Sequence, residues 1–422
     1  YNPGTLFTEN TEHLVYTFKG QRRRSVVPWK ECDKVSERVK FIAMLKNGGS
    51  MAEACREFGI TRPTGYKFLE RYEKEGLDAL KDKISAPWRV ANKTPQKTEA
   101  LILATKEKFP SWGSAKVLAY LTRKHRGMKL PVDSTVHAIL DRNGKVKKRV
   151  NRRAYKAVGT YLTDAKSSNE LWCADFKGQF KMGNGKYCYP LTLTDQHSRY
   201  LLLCEGLEDV REKAALEAFK RVFEEHGLPD VIRTDNGVPF AARSLFGLSK
   251  LSVMWLRLGI RLERIEPGHP EQNGRHERMH RTLKQSVTSP PGMNLLHQQE
   301  MFDSFQTVFN EERPHEALQM KSPADIYEPS KKRLARTFFE DIDYSGFKYI
   351  ARVSKCGCIR VNGSKSIFIS DVFAGQEVGV RETEDKIWSV NFMEHELGFF
   401  DWTAQKFSPA SNPFLSITNN KV

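Results

Sequence analysis

Apolar residues recur at helical spacing through the first third of the chain and at strand spacing through much of the rest. From Ser36 to Tyr72 the pattern is helical, with Val39, Phe41, Ile42 and Leu45 on one stripe that Asn47-Gly48-Gly49 ends. A short helix over Met51–Phe58, a turn at Gly59-Ile60-Thr61 and a second helix from Arg62 to Tyr72 give a helix-turn-helix layout. Thr61 suits an N-cap, and Pro63 is tolerated in the first turn. Gly65 inside that helix costs about 1 kcal/mol against Ala, which close approach to a DNA backbone would justify. Further helices are expected over Glu99–Lys108 and Ser114–Arg123, flanking Trp112-Gly113. Another is expected over Thr135–Arg142, capped by Ser134, with Val136, Ile139 and Leu140 as its apolar face.

From residue 171 strands begin to alternate with helices. Strands are expected at 171–180, 187–194 and 200–206, then a helix at 211–226, a strand at 230–233, a helix at about 243–258 and a short strand near 260–263. Gly183-Asn184-Gly185 reads as the hairpin turn between the first two strands. Next comes a helical segment in which Glu277, Arg281 and Lys284 share one face at i, i+4 and i+7. Ser289-Pro290-Pro291-Gly292 breaks that helix and reads as a mobile joint. Past Tyr327 strands take over: Tyr349–Val353, Cys358–Val361, Ser366–Ile369, Glu377–Arg381 and Trp388–Phe392, with Asn362-Gly363 as a hairpin turn. That spacing suits a small C-terminal β-barrel.

Three carboxylates stand in separate contexts within this pattern. Asp175 lies in the apolar strand-like run WCADFKG, Asp235 just past a strand end in RTDNG, and Glu277 on the helix after Asn273-Gly274. Mg²⁺ is a hard cation, held by a few carboxylates together with water and substrate phosphate. Two such ions can activate the attacking oxygen and stabilise the leaving oxygen of an in-line phosphoryl displacement. Spacing alone is weak ground for that chemistry, because the chain has 51 acidic residues.

The motifs around these acids are more specific. Trp172-x-x-Asp175, Thr194-Asp195-x-x-Ser198-Arg199, Thr234-Asp235-Asn236-Gly237 and Pro270-x-x-Asn273-Gly274-x-x-Glu277 followed by Lys284 resemble the core of retroviral-integrase-type transposases. These are the Asp-Asp-Glu enzymes of bacterial insertion sequences. Phe309-Asn310-x-x-Arg313-Pro314-His315-x-x-Leu318 and Ser322-Pro323-Ala324 are similar to the tail of the same core. The resemblance implies an α/β ribonuclease-H-like fold, with a mixed sheet flanked by helices and Asp175 on its first strand. It also implies Asp175, Asp235 and Glu277 as catalytic residues that bind two Mg²⁺ ions, with Mn²⁺ as a substitute. Lys284 and Arg281 would hold phosphate nearby, and the helices at 99–142 resemble the second helix-turn-helix of such transposases.

Several neighbours compete for roles. Glu271 is a rival third ligand, but the motif aligns Glu277, and an acid near a helix start is favoured by the dipole alone. Asp195 in LTLTDQHSRY is expected to cap a turn rather than bind metal. His269, His276 and His280 cluster near Glu277 without cysteines or closed ligand spacing, so zinc is not expected, and His280 is placed near the DNA face.

The formal net charge of +17 makes a polyanion the natural partner, and 39% hydrophobic content suffices for ordinary cores. No apolar run approaches the roughly 18 residues of a spanning helix. The seven cysteines are scattered and odd in number, as in a reduced protein without a disulfide framework. Arg62, Thr64, Tyr66 and Lys67 would face a major groove. Residues 143–156 hold seven basic residues and no acid, Lys147, Lys148 and Arg149 among them, which suits phosphate contact with steep salt dependence.

The expected organisation is an unassigned leader (1–28), a helix-turn-helix domain (29–90), a second helix-turn-helix with a basic linker (91–157), the catalytic core (158–330) and a β-rich C-terminal domain (331–422). The expected activity is transposition: binding of an element's terminal inverted repeats, Mg²⁺-dependent 3′-end cleavage, and strand transfer into target DNA. At least a dimer on DNA is expected, in a bacterial cytoplasm, associated with the nucleoid and not with a membrane. Two alternatives remain open: a purely hydrolytic ribonuclease-H-like nuclease, and a sequence-specific DNA-binding regulator with a silent core.

Overall fold

The structure, a computed structural model, describes residues 34–82, 93–146, 162–334, 342–361 and 366–414. The chain divides between Lys93 and Thr94 into two units.

In the first unit, α1 (Lys34–Lys46), α2 (Met51–Glu57) and α3 (Arg62–Glu75) close over Phe41, Ile42, Ala54, Cys55, Phe68 and Leu80. Val39 departs from its expected place on the inner stripe and is 37% exposed. Buried Arg38 lies inside instead, donating to the Leu80 carbonyl at 2.7 Å and lying over the Phe68 ring. Thr61 is the N-cap residue of α3, but its hydroxyl pairs with that of Thr64 at 2.9 Å and not with a helix N–H. Gly65 corrects a second expectation. A Cβ there would lie 2.8 Å from Cys55 Sγ and 3.0 Å from Phe41 Cζ, so the glycine permits close packing of the three helices and is not reserved for DNA.

The second unit begins with α4 (Gln96–Lys108), α5 (Ser114–Lys124) and α6 (Asp133–Arg142), gathered around Trp112, which stacks on Phe109 at 3.8 Å. The last of these starts after Val132, so Ser134 lies inside the first turn and is not the cap. Arg123 fastens this bundle to the segment between Glu311 and Asp325. Its guanidinium donates to the Glu311 carbonyl at 2.6 Å, the Glu312 carbonyl at 3.1 Å and Ser322 Oγ at 2.8 Å, and pairs with Asp325 at 3.3 Å.

A six-stranded mixed sheet forms the centre of this unit. It comprises β1 (Leu171–Phe176), β2 (Phe180–Lys181), β3 (Tyr187–Asp195), β4 (Leu201–Leu207), β5 (Val231–Thr234) and β6 (Arg261–Arg264). The order is β2-β3-β1-β5-β6 with β4 also on β3; β1 is antiparallel to β3 and parallel to β5. Because side chains alternate along a strand, Trp172 and Ala174 face α7 (Glu212–His226) and α8 (Lys250–Arg257), packing with Phe219, Phe223 and Trp255. The other face carries α9 (Gly274–Val287) and α10 (Leu295–Thr307), through Met279, Leu283 and Phe302 against Cys188, Leu201 and Cys204. The helix expected from about 243 begins only at Lys250, where Ser249 Oγ accepts from the Ser252 N–H at 3.1 Å and fixes the start. The Pro-Gly joint after α9 is pinned: the Gly292 N–H donates to buried Gln298 at 2.7 Å, and the Gly183 N–H to the Gly292 carbonyl at 2.9 Å.

The C-terminal strands are β7 (Tyr349–Arg352), β8 (Cys358–Ile359), β9 (Ile367–Phe368), β10 (Glu377–Glu384), β11 (Ile387–Phe392), β12 (His395–Asp401) and β13 (Lys406–Pro409). They pair as a five-stranded antiparallel sheet, β13-β12-β11-β10-β7, and a separate two-stranded sheet, β8-β9. Both are open, so the expected barrel is not closed among the described residues. The expected turn at Asn362-Gly363 lies outside them. Two strands escaped the sequence pattern. The turn from β11 to β12 uses Met393 at φ 53°, with no glycine or asparagine at that position to signal it.

Gly65→Ala is expected to lower the thermal stability of the first unit by about 1–2 kcal/mol, since overpacking outweighs the helix propensity gained. Calorimetry of the full chain checks this. Adding Cys55→Ala, which removes the nearest clashing atom, should restore part of the loss.

Candidate active site

The sheet register brings the first two acids together. Parallel pairing sets Cys173 opposite Arg233, and two residues further along each chain stand Asp175 and Asp235. Asp175 is near the end of β1, and Asp235 is the residue after β5, its Oδ1 accepting the Gly237 N–H at 3.0 Å. Glu277 is exposed in the first turn of α9, where the helix dipole favours an acid. These groups act on one another. Burial, then the charge of Asp235, and to a smaller extent that of Glu277, push the Asp175 carboxyl up to about 7. Glu271, the rival ligand, is instead engaged by His269 at 2.7 Å.

Two histidines fix α9 on the sheet. His276 is buried, with Nδ1 bonded to Thr194 Oγ1 at 2.7 Å and Nε2 to Thr192 Oγ1 at 2.8 Å. His280 Nε2 reaches the same Thr192 hydroxyl at 2.7 Å, and its Nδ1 lies 3.6 Å from Asp175 Oδ2. Burial holds His276 near 3 and His280 lower still, so both are neutral. His280 is thus buried beside Asp175 and not on an exposed face. Asp175, His276 and His280 offer ligand atoms within 4.8 Å of one another. Both His276 nitrogens and Nε2 of His280 are taken by threonines, so only His280 Nδ1 is left toward Asp175, and Thr192 ties the group to the Asp175 carbonyl at 3.0 Å. This ladder escaped the sequence reading, although LTLTD (alternating threonines) and HERMH (histidines at i, i+4) carry its signal.

Asp195 caps its turn as expected: its carboxylate accepts from the Ser198 N–H at 2.7 Å, Ser198 Oγ at 2.6 Å and the Asn169 N–H at 2.8 Å. Arg281 and Lys284 are exposed on the outer side of α9 and line a groove of 1420 Å³ with Lys106, Trp112, Lys145 and Ser289. In the first unit Arg62, Tyr66 and Lys67 are exposed and Thr64 is half-buried, all on α3. Lys147, Lys148 and Arg149 lie outside the described residues.

Residues 165–270 and 258–323 each match an integrase core domain model. The chain is a member of the integrase and transposase catalytic-core superfamily. Upstream, residues 37–87 match a helix-turn-helix domain and residues 64–140 a homeodomain-like domain. The Gag-Pol polyprotein of baboon endogenous virus is 24% identical over 231 residues, 54% of this chain and 13% of the polyprotein. The uncharacterized 31.7 kDa protein of insertion element IS407 from Burkholderia multivorans is 24% identical over 185 residues, 43% of this chain and 63% of that protein. The match thus spans well under two thirds of the first relative and just under two thirds of the second. Among solved structures, the HTLV-2 integrase catalytic core domain in complex with magnesium aligns over 39% of this chain and 100% of its own, at 15% identity and TM-score 0.32. A simian T-cell lymphotropic virus intasome chain aligns over 73% of this chain and 99% of its own, at 13% identity and TM-score 0.36.

The carboxylates of this integrase core suit a hard dication, because their mutual repulsion and the raised Asp175 are both relieved by bound positive charge. Asp175→Asn is therefore expected to raise the melting temperature in EDTA and to abolish the gain that Mg²⁺ confers on the parent chain. That gain is about 2.7 kcal/mol at a hundredfold excess over Kd. A Mg²⁺ shift equal in both proteins would remove Asp175 from the metal site.

Proposed function

We propose that this integrase-core chain is a DNA transposase that cleaves the 3′ ends of a mobile element and joins them to target DNA. The observation that supports this reading is the β1–β5 register, which sets Asp175 and Asp235 at neighbouring strand ends, with Glu277 on α9 near enough for its charge to act on Asp175. They would hold two Mg²⁺ ions, with Mn²⁺ as a substitute. When bound, such ions supply activation of the attacking oxygen and stabilisation of the leaving oxygen. The protein's own part is positional. Thr192, which donates to the Asp175 carbonyl at 3.0 Å and bonds both imidazoles, ties Asp175 to α9, and His276 fixes the α9 turn that bears Glu277.

Arg281 and Lys284 would bind phosphate beside the site, and α3, through Arg62, Thr64, Tyr66 and Lys67, would read the terminal repeats in the major groove. The basic segment with Lys147, Lys148 and Arg149 would add sequence-independent phosphate contact. The division of labour proposed is recognition by 29–90 and 91–157, chemistry by 158–330, and support by the β-rich region 331–422. Two DNA ends must be joined, so at least a dimer on DNA is proposed, acting in a bacterial cytoplasm at the nucleoid. Among the described residues no helix is long and apolar enough to cross a membrane.

The test mixes purified chain with labelled DNA from the borders of its own reading frame and a plasmid target. Mg²⁺-dependent joined product is expected, reduced on the order of 100-fold or more in Glu277→Gln, as loss of a charge-stabilising ligand implies. Hydrolysed ends that are never joined would replace this reading with a nuclease. Specific binding without cleavage, by protein shown to be folded, would replace it with a regulator.

A further inference from the structure

Beside α9, six cations line a cavity of 370 Å³. They are Lys116 from α5, Arg199 from the turn after β3, Arg275, Arg278 and Arg281 from α9, and Arg313 from the segment after α10. Little negative charge answers them. Asp195 is committed to Ser198 and Asn169, Glu316 is exposed at the wall, and among the described residues Arg275 alone of the six has an ion-pair partner, Asp164 at 2.9 Å. Two polar atoms of this lining, Arg199 Nη1 and His315 Nε2, are buried with no hydrogen-bond partner among the described residues. Arg199 also holds φ at 66°, a left-handed conformation uncommon outside glycine.

The arrangement is costly as it stands. Burial, then the neighbouring Arg313, lowers Lys116 to about 8; burial, then Arg275 and Arg278, lowers Arg199 to about 10. Desolvated like charges with an unsatisfied guanidinium N–H are destabilising unless an anion completes them. We propose that this pocket is a second phosphate-binding site, taking a DNA phosphate other than the scissile one. Planar guanidinium forks at Arg199 and Arg313 suit two phosphate oxygens each, and Lys116 adds a point charge. The cavity holds one phosphate with its sugar but not a duplex. Exposed Arg278 and Arg281 extend the positive charge of the cavity wall along α9 beside Glu277. The inference rests on the transposase reading only for the source of the phosphate. An internal phosphodiester and a terminal 5′-phosphate offer the same oxygens.

The experiment uses the full chain with Lys116→Gln and Arg313→Gln, in EDTA so that no cleavage occurs. In phosphate-free buffer Lys116→Gln should melt no lower than the parent, because it relieves repulsion. Inorganic phosphate at 10 mM, about physiological ionic strength or below, should raise the melting temperature of the parent and markedly less that of either variant. Binding to border DNA should weaken several-fold in each variant, and its salt slope should fall by about 1. Weakening confined to duplexes with a 5′-phosphate assigns a terminal phosphate, and equal weakening with a 5′-hydroxyl assigns the backbone. Identical phosphate shifts and salt slopes in parent and variants would overturn the proposal. Glu277→Gln separates the two readings. It should keep the phosphate shift while losing joining, whereas a retained shift in a parent chain that never joins DNA would sink the transposase and leave the pocket.

Discussion

Repulsion between carboxylates held at the ends of two central strands is the constraint on which the rest of the integrase core depends. Parallel pairing of β1 with β5 carries Asp175 and Asp235 to neighbouring positions, and Glu277 adds a third negative charge from α9. A fold that assembles such a group must hold it rigidly, because each acid would lower its energy by moving apart. The buried threonine–histidine ladder provides that rigidity. It joins α9 to β3 through neutral imidazoles, which hold position without altering the charge of the site.

The same helix adjoins two regions of opposite electrostatic character. It bears Glu277 of the acids and also lines a pocket of under-neutralised cations. A polyanion crossing the helix would find cations on both sides of its reacting phosphate, while the acids would need bound metal before they could tolerate it. The high net charge of the chain therefore has a local counterpart in the core, quite apart from the helical regions upstream.

The docking of the α4–α6 bundle adds a further mechanical link. Arg123 takes up two backbone carbonyls, a hydroxyl and a carboxylate from the segment between Glu311 and Asp325. Arg313 and His315 of the cationic pocket belong to that segment, and Lys116 comes from the bundle itself. The pocket thus exists only when bundle and core are joined.

Much of this was legible in the sequence, because local chemistry dictates it. Period-2 and period-3.6 patterns located most strands and helices of the core, though not α10, Asp-Asn-Gly marked the turn after β5, and the spacing of Glu277, Arg281 and Lys284 suggested a shared helix face. The motifs in order sufficed to recognise the integrase core. Contacts between distant segments were not legible, since a residue's partner across the fold leaves no trace in its own neighbourhood. Gly65 looked like an opening for DNA, yet Cys55 and Phe41 fill the space above it. Nothing local marked His276 and His280 as structural, and His280 was expected at a surface, yet two threonines some 80 residues earlier claim them. The C-terminal strands were partly visible, but their open pairing depended on hydrogen-bond partners that only the folded chain selects. Residue type and spacing set which chemistry was available; tertiary packing decided which groups were desolvated, which were already satisfied, and which still face a ligand.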